Sequence, residues 1–106
     1  MLSFLRKIFG LKQNADYAKL IRQGAQLIDV RTPPQYEMDH LPGSRNIPLN
    51  KLPLQLSDIR KDKPIILFCA SGMRSAQARR ILISNGFKEV YNAGGIRELH
   101  KVINSS

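Results

Sequence analysis

The sequence predicts an α/β fold in which a mostly parallel sheet of about four to five short strands lies between two helical layers. Short apolar, β-rich runs alternate along the chain with segments of helical pattern, which is typical of this class. One run, Ile65 to Cys69, is apolar at every position, as in a central strand covered on both faces. Glycine or proline separates most of these segments and marks where elements end.

The first half of the chain predicts two short helices and two strands. Residues 14–22 have the pattern of a helix capped by the asparagine at its start, and residues 25–30 that of a buried strand. Residues 32–35 (TPPQ) begin the second helix, because threonine can cap it, proline is tolerated in the first turn and glutamine completes a capping box. Residues 41–43 (LPG) predict a turn, and residues 45–48 a further short strand.

The second half predicts two more strands and three helices. Residues 52–59 have a loose helical pattern and precede the apolar strand. Residues 74–85 form the clearest helix, which ends at a glycine, and residues 89–92 form the last strand. Gly94 and Gly95 have two interpretations. We favour a turn into a final helix that runs toward Val102 over a close approach of the backbone to the loop after the apolar strand.

Length and composition indicate one globular domain. The chain has 106 residues, of which 42% are hydrophobic and 24% charged. The longest uninterrupted apolar run is far too short to cross a bilayer. A single cysteine excludes an intramolecular disulfide and any multi-cysteine metal site. It also fits a reducing compartment, so a cytoplasmic location is expected.

We divide the chain into an amphipathic N-terminal segment, residues 1–12, and a domain over residues 13–106. The segment has one apolar helical face, and its basic residues Arg6, Lys7 and Lys12 lie largely away from that face. It can pack on the domain, which we favour, or it can rest on an anionic membrane surface or a partner.

The net charge of the chain is +9, from 17 lysines and arginines against 8 acidic residues. Such an excess attracts anions and acidic partners, or it serves general solubility, and the sequence leaves both interpretations open. Nucleic acid is not an expected partner. The basic residues are scattered, and no aromatic residues alternate with them to stack on bases.

The stretch between the apolar strand and the following helix carries the predicted chemistry. In open α/β sheets, ligands bind beyond the carboxyl ends of the strands. A loop that enters a helix there points successive backbone N–H groups into one concavity, to which the helix dipole adds positive charge. The predicted catalytic residue is Cys69, and the predicted substrate-binding residues are Ala70, Ser71, Gly72, Met73 and Arg74.

The position of Cys69 favours an ionised thiol. Backbone amides, the helix dipole and the guanidinium of Arg74 would all stabilise the thiolate. A thiolate can attack a sulfane sulfur, and the same N–H groups can hold the resulting persulfide. A lone cysteine after a buried strand is more often an inert hydrophobic residue. The order of strand, cysteine, glycine-containing loop, arginine and helix is what favours chemistry here.

From about Asn14 to Leu99 the sequence resembles the rhodanese-like family in its single-domain form. The matching blocks are LIDVR at 27–31 with Glu37, HLPGS at 40–44, NIP at 46–48, CASGMRSA at 69–76, and YN with GG within 91–95. Several ordered blocks at suitable separations are more specific than any one motif.

This resemblance implies a rhodanese-like three-layer α/β/α fold and a thiosulfate sulfurtransferase. Sulfur would pass from thiosulfate or a persulfide donor, through a Cys69 persulfide and no other cofactor, to cyanide or a thiol. The implied partners are a small anionic sulfur donor, that acceptor, and a protein that exchanges sulfur with the chain. Ala70 stands where many members carry a basic residue, which predicts weaker thiosulfate binding, and Leu99 replaces a frequent tryptophan, which predicts altered packing.

Three further residues are predicted to support the site. Asp29 and Arg31, two residues apart, lie at a strand end, where we expect a charge pair that braces the loops rather than catalysis. His40 stands next to a Pro-Gly turn, where a hydrogen bond to a loop is favoured over an acid–base role. No metal site is predicted, because the two histidines are sixty residues apart and lack clustered carboxylates.

Two other functions compete with sulfur transfer. The chain could be a weakly catalytic or non-catalytic module that carries or senses persulfide or docks a partner, which Ala70 and the basic N-terminal segment suggest. A small phosphatase or arsenate reductase is disfavoured by loop length. Four residues separate Cys69 from Arg74, as in family members that handle sulfur, whereas related enzymes of those two types have one more.

Overall fold

The computed structural model describes residues 15–104, which form a four-stranded sheet flanked by helices. The strands are β1 (Gln26–Asp29), β2 (Arg45–Asn46), β3 (Ile65–Cys69) and β4 (Val90–Gly95). All neighbouring strands pair in parallel, in the order β2-β1-β3-β4. The predicted α/β fold with a parallel central sheet is confirmed.

Helices connect the strands. They are α1 (Tyr17–Arg22), α2 (Pro33–Met38), α3 (Met73–Ser84) and α4 (Ile96–Asn104). Helix α1 is capped by Asp16, whose carboxylate accepts a hydrogen bond from the Lys19 N–H at 3.0 Å. The predicted cap Asn14 and the N-terminal segment 1–12 lie outside the described residues. Within residues 15–104, no helix is long and apolar enough to span a bilayer.

The side chains of β3 alternate between two apolar cores. One core lies between the sheet and α3 together with the chain after β2, and the other lies between the sheet and the pair α1 and α4. Ile65, Leu67 and Cys69 belong to the first core, and Ile66 and Phe68 to the second. All five are buried, so β3 is the covered central strand that its unbroken apolar sequence predicts.

The strand order creates a crevice at the carboxyl ends of β1 and β3. From β1 the chain moves outward to β2, and it then crosses back past β1 to β3 and continues to β4 on the other side. The connections that leave β1 and β3 therefore diverge, which opens the space where ligands bind in such sheets. Cys69 is the last residue of β3, and Arg31 follows the end of β1 by two residues.

The predicted helix over residues 52–59 is wrong. The chain there forms two 3-10 turns, Leu49–Leu54 and Leu56–Asp58. Pro53 lies inside the first turn, and it has no N–H to donate to the carbonyl four residues before it. In a 3-10 turn each N–H bonds to the carbonyl three residues earlier, and the residues next to Pro53 can form such bonds. One example is the Gln55 N–H, which donates to the Leu52 carbonyl at 3.0 Å.

The interpretation of Gly94 and Gly95 as a turn is also wrong, because both residues belong to β4. Leu67 pairs with Asn92 and Cys69 pairs with Gly95, so β4 has one residue more than β3 across this interval. Such a β-bulge needs a residue that tolerates an unusual backbone angle, and Gly94 has φ +84°. The bulge lies beside the end of β3, where it brings β4 against the loop that follows Cys69.

Candidate active site

Helix α3 begins without a capping side chain. Its N-cap residue is Gly72, which has φ +96° in the left-handed region and no side chain that could accept hydrogen bonds from the first turn. The first backbone N–H groups of a helix have no partner within the helix and need an acceptor. At α3 that acceptor is the sulfur of Cys69, which the end of β3 brings to the start of the helix.

Several donors converge on the Sγ atom of Cys69. The N–H of Gly72 lies 2.9 Å from Sγ, and the hydroxyl of Ser75 lies 3.5 Å from it. Burial of the Cys69 side chain raises the pKa of its thiol. The hydroxyl and N–H of Ser75 and the N–H groups of Ser71 and Gly72 lower that pKa by more, so it lies below the ordinary cysteine value.

The Ser75 hydroxyl is held by a network that includes Asn92 on β4. Ser75 is fully buried, and its Oγ lies 2.6 Å from Asn92 Oδ1 and 3.1 Å from the Gly72 carbonyl. The Asn92 amide nitrogen donates to the same Gly72 carbonyl at 3.3 Å, and Asn92 Oδ1 also accepts from the Gly94 N–H at 2.9 Å. A hydroxyl has a single proton to donate, so these acceptors and the sulfur of Cys69 compete for it.

The bulge in β4 packs directly against the loop after Cys69. A Cβ atom added at Gly72 would lie 3.1 Å from the Cα of Gly94. One added at Gly95 would lie 2.7 Å from the carbonyl oxygen of Ala70 and 2.6 Å from Glu98 Oε1. The glycines of β4 therefore allow the close backbone approach that the sequence left as the less favoured interpretation.

Cys69 lies on the floor of a cavity of about 380 Å³, which we call the Cys69 cavity. The residue is 2% exposed, and it forms part of the lining of this cavity. The cavity is lined by Arg31, Gln35, Cys69, Ala70, Ser71, Met73, Arg74 and Gln77. Of the residues predicted to bind substrate, the structure brings Ala70, Ser71, Met73 and Arg74 to this lining, and Gly72 contributes its N–H to the sulfur.

The two arginines that line the Cys69 cavity differ in their partners. Arg31 forms a bidentate ion pair with Asp29, whose side chain is fully buried, and it also donates to the Asp39 carbonyl at 2.6 Å. Arg74 is exposed and forms no ion pair or side-chain hydrogen bond with any of residues 15–104. Its charge is therefore available to an anion in the cavity.

The Asp29–Arg31 pair braces the crevice. Asn46 on β2 adds to it by donating to the carbonyls of Asp29 and Arg31 at 2.9 and 3.0 Å. This arrangement ties the end of β1 to β2 and to the chain after α2. Removing one partner of such a buried pair costs about 3–5 kcal/mol, because it leaves an uncompensated charge in the interior.

His40 does not line the Cys69 cavity. Its ring stacks on Tyr36 with centroids 4.1 Å apart, and its Nδ1 lies 2.9 Å from the Tyr36 carbonyl. With His100 it borders a different cavity of about 150 Å³, next to the start of α4. Across residues 15–104, no three histidine, cysteine or acidic side chains come together as they would around a metal ion.

Sequence reasoning missed Asn92 as a residue of the site. The sequence shows it as the end of a strand and as part of the block that resembles a family motif, and neither observation predicts a bond to Ser75. The glycine pair that follows is the signal that could have found it. A glycine inside a strand pattern often marks a bulge, and bulges lie frequently next to active sites.

We expect Ser75→Ala to raise the pKa of the Cys69 thiol, because the substitution removes the hydroxyl while leaving the backbone N–H groups in place. The rate of alkylation by iodoacetamide, measured against pH, should then reach half its maximum at higher pH than in the unchanged protein. Ser84→Ala, at the exposed end of the same helix, is the matched control. An unshifted profile for Ser75→Ala would show that the hydroxyl does not stabilise the thiolate.

We expect Gly72→Ala to destabilise the protein more than Gly43→Ala does. Both glycines have positive φ, so both variants pay a backbone cost of about 1–2 kcal/mol. A Cβ at position 43 would meet no described atom within 4 Å, whereas one at position 72 would press on the backbone of Gly94. Urea unfolding measures the difference. Equal losses of free energy of unfolding would mean that β4 does not pack closely on the loop.

Comparison with known proteins identifies relatives of this chain. The chain matches the family model of the rhodanese-like domain over residues 13–101. It is 38% identical over 74 residues to the thiosulfate sulfurtransferase PspE of Escherichia coli, which covers 68% of this chain and 71% of PspE. It is also 48% identical over 71 residues to the uncharacterized protein YqhL of Bacillus subtilis, but this match covers 67% of the chain and only 56% of YqhL.

Solved structures show the same fold. A rhodanese with anions from Escherichia coli superimposes with a TM-score of 0.64 at 35% sequence identity, covering 71% of this chain and 91% of that one. The human single-domain sulfurtransferase TSTD1 superimposes with a TM-score of 0.70 at 26% identity, covering 81% and 90%. The resemblance predicted from the sequence blocks is confirmed: the chain belongs to the rhodanese-like family.

Proposed function

We propose that this protein is a thiosulfate sulfurtransferase in which Cys69 carries the sulfur as a persulfide. The observation that supports this most directly is the position of the Cys69 sulfur, which lies 2.9 Å from the Gly72 N–H and 3.5 Å from the Ser75 hydroxyl. Hydrogen bonds from Ser71, Gly72 and Ser75 lower the pKa of the Cys69 thiol, and the residue lines an open cavity. A readily ionised thiol in such a position is typical of a reactive cysteine. Relatives such as PspE are named for this activity.

The first half-reaction forms the persulfide. The Cys69 thiolate attacks the outer sulfur of thiosulfate, a new S–S bond forms on Sγ, and the old S–S bond breaks with its electron pair leaving on sulfite. Arg74 faces the cavity without a partner among the described residues, so its guanidinium can bind the sulfonate oxygens. The N–H groups of the loop stabilise the anionic charge that remains on the persulfide.

The second half-reaction returns the thiolate. Cyanide or a thiolate attacks the terminal sulfur of the persulfide, and the Sγ–S bond breaks with its electron pair returning to Cys69. The same N–H donors then stabilise the sulfur they held at the start. The sequence contains a single cysteine, so an outside molecule must discharge the intermediate. This requirement fits a ping-pong cycle with a separate donor and acceptor.

The competing interpretation is a module that carries persulfide or docks a partner without turnover. Both interpretations use the same loop after Cys69. They differ in whether Cys69 gains a sulfur atom from a donor and then passes it on. A phosphatase or arsenate reductase has a wider loop in the related families, and a chromogenic phosphate ester would test for it. Mass measurement and turnover together separate all three.

We expect thiosulfate to add the mass of one sulfur atom to the protein, and Cys69→Ser to lose both this addition and all thiosulfate-to-cyanide transfer. Serine keeps the size of the side chain but has no readily ionised group to attack sulfur. Intact mass spectrometry and the thiocyanate colour reaction measure the two effects. Turnover by Cys69→Ser would end the proposal, and an unmodified wild-type protein would point to docking alone.

We expect Arg74→Ala to raise the KM for thiosulfate by about tenfold or more, because a hydrogen bond to a charged group contributes about 1.5–3 kcal/mol. The kcat should change less, since the N–H groups around the sulfur remain. Arg80→Ala removes the same charge from an exposed position farther along α3 and serves as the control. Equal effects of the two substitutions would show that only the net charge of the protein matters.

A further inference from the structure

A second cavity adjoins the Cys69 cavity and shares one residue with it. Its volume is about 350 Å³, and its lining is formed by Val30, Thr32, Pro48, Leu49, Asn50 and Arg74. Arg74 is the residue common to both linings, so its side chain lies at the boundary between them. The other residues come from the chain segments after β1 and β2, which places this second cavity at the same carboxyl edge of the sheet.

The second cavity has an apolar inner wall and a cation at its boundary. Val30 is 1% exposed, Pro48 is buried and Leu49 is half-buried, and these three residues provide the apolar side chains of the lining. The hydroxyl of Thr32 is engaged, since it donates to Gln35 Oε1 at 3.1 Å. A cavity of this size and character suits a small organic molecule with an apolar part and one anionic group near it.

The donor and acceptor of thiosulfate-to-cyanide transfer do not need this space. Thiosulfate and cyanide are small ions, and the Cys69 cavity of about 380 Å³ has room for either. An acceptor that fills the second cavity must therefore be larger, and it must also reach the terminal sulfur on Cys69. Because Arg74 lies at the boundary of the two cavities, the anionic group of this acceptor must lie between its thiol and its apolar part.

We propose that the second cavity is an acceptor subsite for a small thiol of the N-acylcysteine type. This inference rests on the proposed function and names the class of acceptor. The thiolate enters the Cys69 cavity, the carboxylate binds Arg74, and the acyl chain lies against Val30, Pro48 and Leu49. The exposed carboxamide of Asn50 is available to the amide group of the ligand.

The transfer step balances without any further reagent. The acceptor thiol loses its proton to solvent, and its sulfur attacks the terminal sulfur of the Cys69 persulfide. One S–S bond forms on the acceptor, the Sγ–S bond breaks, and the electron pair stays on Cys69. The acceptor leaves as a persulfide, and the protein returns to its thiolate form.

Kinetics with matched thiols test the subsite. The kcat/KM for N-butyrylcysteine should exceed that for its C-terminal amide by about tenfold at equal thiolate concentration, because only the acid offers a carboxylate to Arg74. Asn50→Trp fills the cavity and should lower the kcat/KM for N-butyrylcysteine relative to that for cyanide by about tenfold. Asn104→Trp, on the exposed end of α4, should leave this ratio unchanged.

A binding measurement keeps the test independent of turnover. S-methyl-N-butyrylcysteine cannot accept sulfur, and titration calorimetry should show that it binds the wild-type protein and binds Asn50→Trp about tenfold more weakly. The absence of binding, or an equal preference for acid and amide, would overturn the subsite while leaving thiosulfate-to-cyanide transfer intact. If the wild-type protein showed no thiosulfate-to-cyanide transfer, the proposed function would be wrong. The calorimetry would still show whether the second cavity binds the ligand.

Discussion

The sulfur of Cys69 acts as the cap of helix α3, and the rest of the site depends on this interaction. Helix α3 has a glycine, Gly72, as its N-cap, so its first N–H groups have no capping side chain to accept their hydrogen bonds. The end of β3 supplies one, at 2.9 Å from the Gly72 N–H. The Sγ atom of Cys69 thus joins β3 to α3, the apolar strand and the helix that predict the site in the sequence. The proposed chemistry would occur on this same atom.

The neighbouring strands hold this cap in place from both sides. On one side, the Asp29–Arg31 pair and Asn46 fix the ends of β1 and β2, so one wall of the crevice carries a neutralised arginine. On the other side, the bulge of β4 brings Asn92 to the Ser75 hydroxyl and to the Gly72 carbonyl. Arg74 lies between these supports without an ion-pair partner among residues 15–104. The Cys69 cavity therefore combines a hydrogen-bonded base around the sulfur with one guanidinium, that of Arg74, which has no ion-pair partner among the described residues.

The sequence predicts the local part of this arrangement and misses the non-local part. The run from Ile65 to Cys69 and the helix after it follow from residue patterns within single elements, and both agree with the structure. The 3-10 turns around Pro53 differ because one missing donor outweighs a loose helical pattern. The bond from Ser75 to Asn92 depends on the register between β3 and β4, and no local pattern encodes a register that a bulge at Gly94 shifts.

Because the folded protein binds the ionised sulfur more tightly than an unfolded chain does, proton release and folding are thermodynamically linked. The thiol pKa is lower in the folded state, so the stabilisation it contributes is complete above the cysteine pKa of the unfolded chain. It disappears as the pH falls through the folded-state value, where the thiol is protonated in both states. Raising the pH through this interval therefore adds to the stability of the folded protein through the same hydrogen bonds that lower the thiol pKa.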